Sequence, residues 1–424
     1  MRVLLVNLCD LGDLLFSSPL IEALGAAHEV HYLADQSCAD AIAGHPNLAR
    51  CWILPRRDWA ARLALPDGRQ GALAEALAWA ASLAEQDFDA VYCLQPRPLA
   101  ATLAALARGR EQRGFTLRDG ALSAGEGCDV LLRHLLRFEN RADDGLHAAE
   151  GYLSLLPAGL RPAAARLSFG IPAPARGRAE ALAPGPPRAQ RLAALPGAGD
   201  ASKRWGLDAW RGLLKGWLRL HPGGEVLVLG GAEDRVRGEA LARGQARIRS
   251  LCGGLSLAES AALLRRCSVA VGGDTGPLHL AAAVGTPCLG LFGPTHPAES
   301  GPLLSGSLAV KASSGCMDDL EPAAVLRALA ALQQGALPLG LRGAECWPCR
   351  EAEGRRVDAA WEAASGPAWL ARQLRVEGAV PVRALSESLA ERSWQGQLKL
   401  EGSAQALVHA QLCAAVKVFA DELP

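Results

Sequence analysis

The sequence predicts an α/β fold made of two Rossmann-like domains, each built on a parallel sheet, followed by a mainly helical C-terminal appendage. Short apolar runs alternate with helical stretches through residues 1–172 and again through 190–335. Such alternation is typical of parallel strands joined by right-handed crossovers. Residues 173–189 lie between the two series and are rich in proline, alanine, glycine and arginine, which indicates a linker. Ligands are expected in the cleft between the domains, beyond the carboxyl ends of both sheets.

Each element follows from its apolar pattern. In the first domain we predict strands at 2–8, 29–33, 50–54 and 89–94, with helices at 14–24 and 72–85 between some of them. In the second domain we predict strands at 191–195, 225–229, 268–271 and 288–292, with helices at 207–220, 234–243 and 277–284. Residues 336–424 fit neither series, and their apolar residues recur at helical spacing within 382–389 and 407–419. This segment is predicted to be the helical appendage.

Composition narrows the classes of function. The chain has 424 residues and carries 44 basic and 44 acidic side chains, and without a basic stripe it is not expected to bind nucleic acid. The apolar core of residues 1–7 is too short for a signal peptide, and no stretch is long and apolar enough to span a bilayer. We therefore expect a cytoplasmic protein with reduced thiols.

The most informative segment is the turn from Gly272 to Gly276, which lies between an apolar strand and an alanine-rich helix. A strand-turn-helix unit of this kind leaves the first N–H groups of the helix pointing past the sheet, with the positive end of the helix dipole behind them. Thr275 adds a hydroxyl, and His279 lies one helical turn further along the same face. A second turn, Gly293-Pro294-Thr295, follows the next strand. Together the two turns predict a pocket for a nucleotide diphosphate.

Residues 273–302 resemble the donor-site motif of glycosyltransferase family 9, the bacterial heptosyltransferases of lipopolysaccharide assembly. Residues 1–24 and 195–210 are similar to two further segments of that family: its first strand with a Gly-Asp turn, and its lysine-bearing loop. The resemblance covers roughly residues 1–335. It implies the GT-B architecture and the transfer of heptose from ADP-heptose to a hydroxyl of the lipopolysaccharide core, with inversion at the anomeric carbon. It also implies peripheral contact with the inner face of the inner membrane.

The resemblance assigns roles to individual positions. Asp13, after Gly12, corresponds to the proposed catalytic base, and Lys203 to the loop lysine that offsets charge on the leaving diphosphate. The donor-binding positions that it implies are Gly197, Ala198, Gly199, Glu233, Leu255, Asp274, Thr275, Gly276 and His279. Ala198 and Gly199 offer only backbone amides where the family commonly has hydroxyls. Gly12, Arg97 and Arg118 are candidates for the acceptor side, where Asn7 occupies a position that is basic in members acting on the innermost acceptor.

Local sequence leaves a structural interpretation open for each candidate. Asp13 could cap its helix, Asp274 could tie down its own turn, and Glu233 falls in the N-cap region of a helix. Lys203, Arg97 and Arg118 could be ordinary surface cations, and His279 a satisfied buried histidine. An unpaired carboxylate would repel phosphate, so Asp274 is expected to bond sugar hydroxyls or backbone amides.

We predict no metal site and no cofactor. The triplet Asp87-Phe88-Asp89 precedes a strand and should lie at the end of the sheet away from the cleft. Cys346 and Cys349 form half of a tetrahedral metal site or a redox pair, and ordinary structural thiols are the alternative that we favour.

Three alternative functions remain open at this level. A protein acceptor such as a secreted adhesin is one, since the appendage could recognise it. A non-catalytic nucleotide-binding scaffold with the same fold is the second, and it predicts damaged site residues. A sugar-nucleotide epimerase is the third, and it would need no acceptor.

Overall fold

The computed structural model describes residues 1–353 and 356, apart from 66, 119, 120, 126, 129, 132–144 and 339. Within them the chain forms two sheets flanked by helices, one in each half, which confirms the predicted pair of Rossmann-like domains. The predicted helices within 382–389 and 407–419 lie outside the described residues. Among those described, no helix is both long and apolar enough to cross a bilayer.

The N-terminal sheet has six strands in the order β3-β2-β1-β4-β5-β6. All neighbouring pairs are parallel except β5 and β6, which are antiparallel. The first strand is apolar along its length because helices cover both faces of the sheet, and Val3 to Val6 are buried. The strands are β1 (Arg2–Val6), β2 (Glu29–Asp35), β3 (Leu48–Leu54), β4 (Ala90–Cys93), β5 (Glu111–Arg118) and β6 (Ala121–Ala124).

The C-terminal sheet has seven strands in the order β13-β12-β11-β10-β7-β8-β9. Only β13 is antiparallel to its neighbour among the described strands of this sheet. The strands are β7 (Ala189–Leu195), β8 (Glu225–Val228), β9 (Ile248–Ser250), β10 (Cys267–Gly273), β11 (Cys288–Phe292), β12 (Leu308–Ala312) and β13 (Ala344–Pro348).

Helices cover these sheets with faces that the sequence makes apolar. In Leu207–Leu220 the buried residues Trp210, Leu213, Leu214, Trp217 and Leu218 follow the helical repeat and pack into the C-terminal core. The helices are α1 (Leu11–Phe16), α2 (Ser18–Gly25), α3 (Arg56–Leu63), α4 (Arg69–Ala84), α5 (Pro98–Leu106), α6 (Ala148–Leu153), α7 (Ala173–Leu182), α8 (Leu207–Leu220), α9 (Arg235–Ala242), α10 (Leu257–Leu264), α11 (Gly276–Ala283), α12 (Pro297–Ser300) and α13 (Pro322–Gln333).

The structure differs from the sequence prediction in three segments. The helix predicted at 14–24 is broken at Ser17, whose hydroxyl bonds Leu14 O and Tyr32 Oη. The predicted linker contains α7, because Pro174 occupies a favourable position in its first turn and its face with Ala175 and Ala179 packs on α10. Residues 344–348, predicted as part of a helical appendage, form β13 instead, since they pair with the exposed edge of β12.

After β13 the chain turns back towards the N-terminal domain. Ala352 pairs with Ala165 in an antiparallel bridge, with two backbone hydrogen bonds of 2.7 and 2.8 Å. Arg350 then forms a bidentate ion pair with Glu150, a fully buried carboxylate in α6. The two domains are therefore connected twice by the described chain.

Candidate active site

Both sheets reverse their strand order at one point, and chemically active side chains gather at both points. In the N-terminal sheet the reversal lies between β1 and β4, and the segments that follow these strands carry Cys9, Asp13, Gln95 and Arg97. We call these four residues the N-terminal crevice. In the C-terminal sheet it lies between β7 and β10, followed by Lys203, Asp274 and His279, which we call the C-terminal crevice. Open α/β sheets bind their ligands at such points.

An ion pair spans the C-terminal crevice. Lys203 Nζ donates to Asp274 Oδ2 at 2.8 Å, and His279 Nε2 donates to Asp274 Oδ1 at 3.3 Å. The two loops meet closely, since a Cβ on Gly273 would stand 2.8 Å from the carbonyl oxygen of Lys203. Only glycine therefore allows the Lys203 loop to reach the carboxylate.

The charge of Asp274 is held by these partners. Burial alone would raise its pKa, but the hydrogen bonds and charges of His279 and Lys203 hold the pKa of Asp274 well below its usual range. Asp274 therefore stays ionised, and its oxygens face an imidazole and an ammonium. The proposed Asx role is not what its side chain does, because both oxygens bind side chains from other positions.

The side-chain partners of Asp274 differ from those expected from the sequence. The expectation that it would bond sugar hydroxyls or amides rested on an unpaired carboxylate, whereas the carboxylate is paired. His279 is 3 % exposed, and its Nδ1 has no hydrogen-bond partner among the described residues. The crevice thus holds one positive side chain that is partly open to solvent, Lys203, at 28 % side-chain exposure.

The segments around this pair present backbone groups. Thr275 is the N-cap of α11 without a side-chain capping bond, and its hydroxyl lies 3.4 Å from Gly273 O. Gly197, Ala198 and Gly199 form the loop after β7. Arginines brace that loop: Arg204 Nε donates to Ala198 O at 2.7 Å and Arg237 Nε to Pro196 O at 3.1 Å.

Asp234 is a residue at the C-terminal crevice that the sequence did not single out. It is buried, it accepts a hydrogen bond from Gly231 N at 3.0 Å, and it lies so close to Gly197 that the loop has no room there for a side chain. Asp234, and not Glu233, therefore satisfies the N–H at this turn. Glu233 is exposed beside Gly231, and Leu255 is half-buried after β9. The spacing of Gly231 and Asp234, three residues apart, was the available signal.

The N-terminal crevice is built on neutral polar groups. Asn7, fully buried at the end of β1, accepts from Cys9 N at 3.1 Å, and Cys9 Sγ donates to Gln95 Oε1 at 2.8 Å. Burial raises the pKa of the Cys9 thiol, so it remains protonated. Because Asn7 is buried, it helps to shape the crevice and offers no surface for an acceptor.

Asp13 lies in the first turn of α1, on this crevice. The N-cap of α1 is Asp10, so the capping role suggested for Asp13 is not found. Burial and the neighbouring Asp10 raise the pKa of Asp13 to about 6, against the opposing charges of Arg97 and His279. A carboxylate with such a pKa is mostly ionised at pH 7 and more basic than an ordinary aspartate, so it is suited to accept a proton.

The two crevices face each other. A Cβ on Gly12 would stand 3.2 Å from His279 Cδ2, and Leu11 lies against Gly276 so closely that a side chain there would collide with it. The start of α1 is thus apposed to the start of α11, and glycines at both positions permit this approach. Asp13 and Arg97 from one domain and Lys203, Asp274 and His279 from the other share one site.

Two further candidates are Arg118 and the pair Cys346 and Cys349. Arg118 ends β5, and its side chain is not among those described. Cys346 lies in β13 and Cys349 just after it, with the pKa of both thiols raised by burial. In the described part of the chain no three His, Cys, Asp or Glu side chains are grouped as metal ligands.

Comparison with known proteins finds a matching family model and a curated relative. A family model described as glycosyltransferase family 9 (heptosyltransferase) matches residues 76–329. The chain is 30% identical over 314 residues to lipopolysaccharide heptosyltransferase 1 of Pseudomonas aeruginosa, which covers 71% of this chain and 81% of that protein.

Solved structures agree on the fold. Heptosyltransferase WaaC of E. coli with ADP aligns at a TM-score of 0.61 and 24% identity, covering 78% of this chain and 100% of that one. The E. coli ADP-heptose lps heptosyltransferase II aligns at a TM-score of 0.61 and 21% identity, covering 79% and 99%. The two domains therefore have the arrangement of these structures, which is GT-B.

Proposed function

The chain belongs to glycosyltransferase family 9 and is a glycosyltransferase, and from this premise we propose that it moves heptose from ADP-heptose to a hydroxyl of a lipopolysaccharide core acceptor. Heptosyl transfer in lipopolysaccharide assembly is supported by the relative from Pseudomonas aeruginosa. The finer proposal is that the transfer inverts the anomeric carbon and that Asp13 is the general base.

The observation that carries the proposal is the apposition of two unlike carboxylates. Asp13 is half-buried and has its pKa raised to about 6, whereas Asp274, across the site, is held ionised by Lys203 and His279. One carboxylate is suited to take a proton and the other to hold cationic groups in place. Binding of a nucleotide alone requires no proton transfer, whereas a carboxylate with a raised pKa is suited to one.

The donor is proposed to bind at the C-terminal crevice. Backbone groups of Gly197, Ala198 and Gly199 and the start of α11 with Thr275 and Gly276 suit the diphosphate, and Lys203 supplies the positive charge. Glu233 and Leu255 lie on the β8 and β9 side, where the nucleoside would extend. WaaC of E. coli has been solved with ADP, which agrees with a nucleoside diphosphate for this fold.

The reaction then needs one proton transfer. The acceptor hydroxyl oxygen forms a bond to the anomeric carbon while the bond from that carbon to the diphosphate oxygen breaks. Asp13 takes the hydroxyl proton, and Lys203 and the backbone N–H groups offset the negative charge that develops on ADP. Displacement in line inverts the anomeric configuration.

The acceptor is proposed to enter from the N-terminal crevice, past Gly12 and Arg97. Arg97 precedes α5, and its positive charge acts on both Asp13 and Cys9. Arg118 stays a candidate for the same side. An acceptor anchored in a lipid would bring the protein to the inner face of the inner membrane, which we propose as its place of action.

The decisive experiment offers ADP-heptose with core oligosaccharides truncated at successive positions and determines the product by mass spectrometry and NMR. We expect one heptose to be added to one acceptor, with the anomeric configuration of the donor inverted, and UDP-glucose to be a poor substitute. A product of retained configuration would contradict the single-base mechanism. Isomerised donor without transfer would indicate an epimerase.

A further inference from the structure

His147 is a buried residue of the N-terminal domain that bonds to the C-terminal domain. Its Nε2 donates to Gly301 O at 2.9 Å, and its Nδ1 accepts from Ala149 N at 3.1 Å, which caps α6. This pattern of one donor and one acceptor requires the neutral imidazole. Burial lowers the pKa of His147 to about 4, so the ring is neutral near pH 7.

The ring of His147 begins a row of three aromatic rings that ends in the site. Phe16, at the end of α1, packs edge-on against His147 with ring centroids 4.9 Å apart. Its other side contacts His279, with centroids 4.5 Å apart. Asp13 lies one turn before Phe16 on the same helix, and His279 bonds Asp274. The three rings therefore connect α1, which carries Asp13, to His279, which bonds Asp274.

The far side of His147 is held by the returning chain. The backbone N–H of His147 donates to Glu150 Oε2 at 2.8 Å, and Glu150 takes Arg350 in a bidentate pair and accepts from Glu353 N at 3.0 Å. Glu150 is fully buried, and its charge is compensated by Arg350, with Arg356 Nε also 3.8 Å from Glu150 Oε1. The segment after β13 thus fixes α6 and its capping residue.

We propose that His147 is a positioning residue of the transfer reaction, which acts through Phe16 to hold α1 against His279 and so sets the separation of Asp13 from the donor. The proposal rests on the proposed function, because it assigns the role of base to Asp13. His147 does not contact the reacting atoms. Its effect arises because an error of about 1 Å in the placement of a base can cost on the order of a hundredfold in rate.

The test compares substitutions that remove different parts of the ring. His147→Asn keeps an oxygen able to cap α6 but loses the edge-on ring contact with Phe16 and the reach to Gly301. We expect kcat for heptose transfer to fall about tenfold to a hundredfold, with the Kd for ADP unchanged within about twofold. His147→Gln keeps an N–H that can reach Gly301, and it should recover part of the loss.

Phe16→Leu provides the second arm. If His147 acts through Phe16, the loss in kcat for the double variant should be no larger than the greater single loss. Losses in kcat that multiply would show that the two residues act separately and would overturn the proposal. An unchanged kcat in His147→Asn would overturn it as well.

His45→Asn is the matched control. His45 is also buried, with Nδ1 accepting from Asn47 N at 3.2 Å and Nε2 bonded to Ser168 Oγ at 2.8 Å, both partners lying in the first 172 residues. Its substitution should lower the melting temperature and leave kcat unchanged. An equal fall of kcat in both histidine variants would indicate a merely structural role for His147. Absence of transfer by the unsubstituted protein would count instead against the proposed function.

Discussion

The two crevices occupy equivalent points of two similar sheets and treat their carboxylates in opposite ways. Asp13, after β1, forms no ion pair with any described side chain and has its pKa raised to about 6, although the charges of Arg97 and His279 act against this. Asp274, after β10, has Lys203 at 2.8 Å and His279 at 3.3 Å and has its pKa lowered. The topology fixes where a ligand site lies, whereas the side chains around each carboxylate decide whether it serves as a proton acceptor or as an anchor for positive charge.

Replacing Asp13 should have the largest effect on catalysis. We expect Asp13→Asn to lower kcat about a hundredfold to ten-thousandfold, the usual range for loss of a general base, with the Kd for ADP-heptose unchanged. Steady-state kinetics and calorimetry measure the two quantities. Asp10→Asn, at the exposed neighbouring carboxylate, is the control and should change kcat less than about threefold. Comparable losses in the two variants would mean that the crevice needs negative charge rather than a base.

Removing the cation from the other crevice should act on binding instead. Lys203→Ala is expected to weaken the Kd for ADP about tenfold to a hundredfold, since charge-assisted contacts contribute about 1.5–3 kcal/mol. The control is Lys215→Ala, a lysine on the exposed face of α8. Calorimetry that finds Lys203→Ala equal to the control would place the diphosphate elsewhere.

The stabilities of two neutralised variants should differ in sign at pH 7. The pKa of Asp13 is raised to about 6, so the cost in stability of ionising it grows from its unfolded pKa of about 4 and is fully present at pH 7. Asp13→Asn should therefore raise the free energy of unfolding by about 1 kcal/mol, allowing for the partial contact of Asp13 with solvent. Asp274 has a lowered pKa, so it stabilises the fold above its unfolded pKa of about 4. Asp274→Asn should lower the free energy of unfolding by about 1–3 kcal/mol. Urea denaturation measures the free energy of unfolding of both variants. Changes of the same sign would contradict the opposite roles assigned to Asp13 and Asp274.

The smallest expected effect is a shift in the pH dependence of transfer, which tests whether Asp13 is the proton acceptor. Because Asp13 must be ionised to act as a base, kcat/KM should fall tenfold per unit below about pH 6. Asp10→Asn removes a neighbouring negative charge, so it should shift this limb to lower pH. A limb that stays in place in Asp10→Asn would assign it to another group.

Local patterns predicted both crevices, because each turn follows an apolar strand and precedes a helix within a few residues. Asp13 and His279 could be placed at strand ends in this way, and so could Lys203. The ion pair between Lys203 and Asp274 could not be predicted from the sequence, because 71 residues separate the two and either side chain alone is compatible with a solvated loop.

Contacts between distant segments account for most of what was missed. Arg350 and Glu150 are 200 residues apart, so nothing in their local sequence indicates that they meet. The spacing of His147 and Glu150 matches a capping box and could have signalled the start of α6. Similarly, β13 carries no strong strand pattern, and it forms because the edge of β12 offers partners.

The double connection between the domains has a mechanical consequence. A single linker would allow one body to swivel about a point, in any direction. Here two segments of the chain pass between the domains, and backbone hydrogen bonds join them at Ala165 and Ala352. Two crossings joined in this way should restrain rotation of one domain relative to the other more than a single crossing would, and so help to keep α1 against α11.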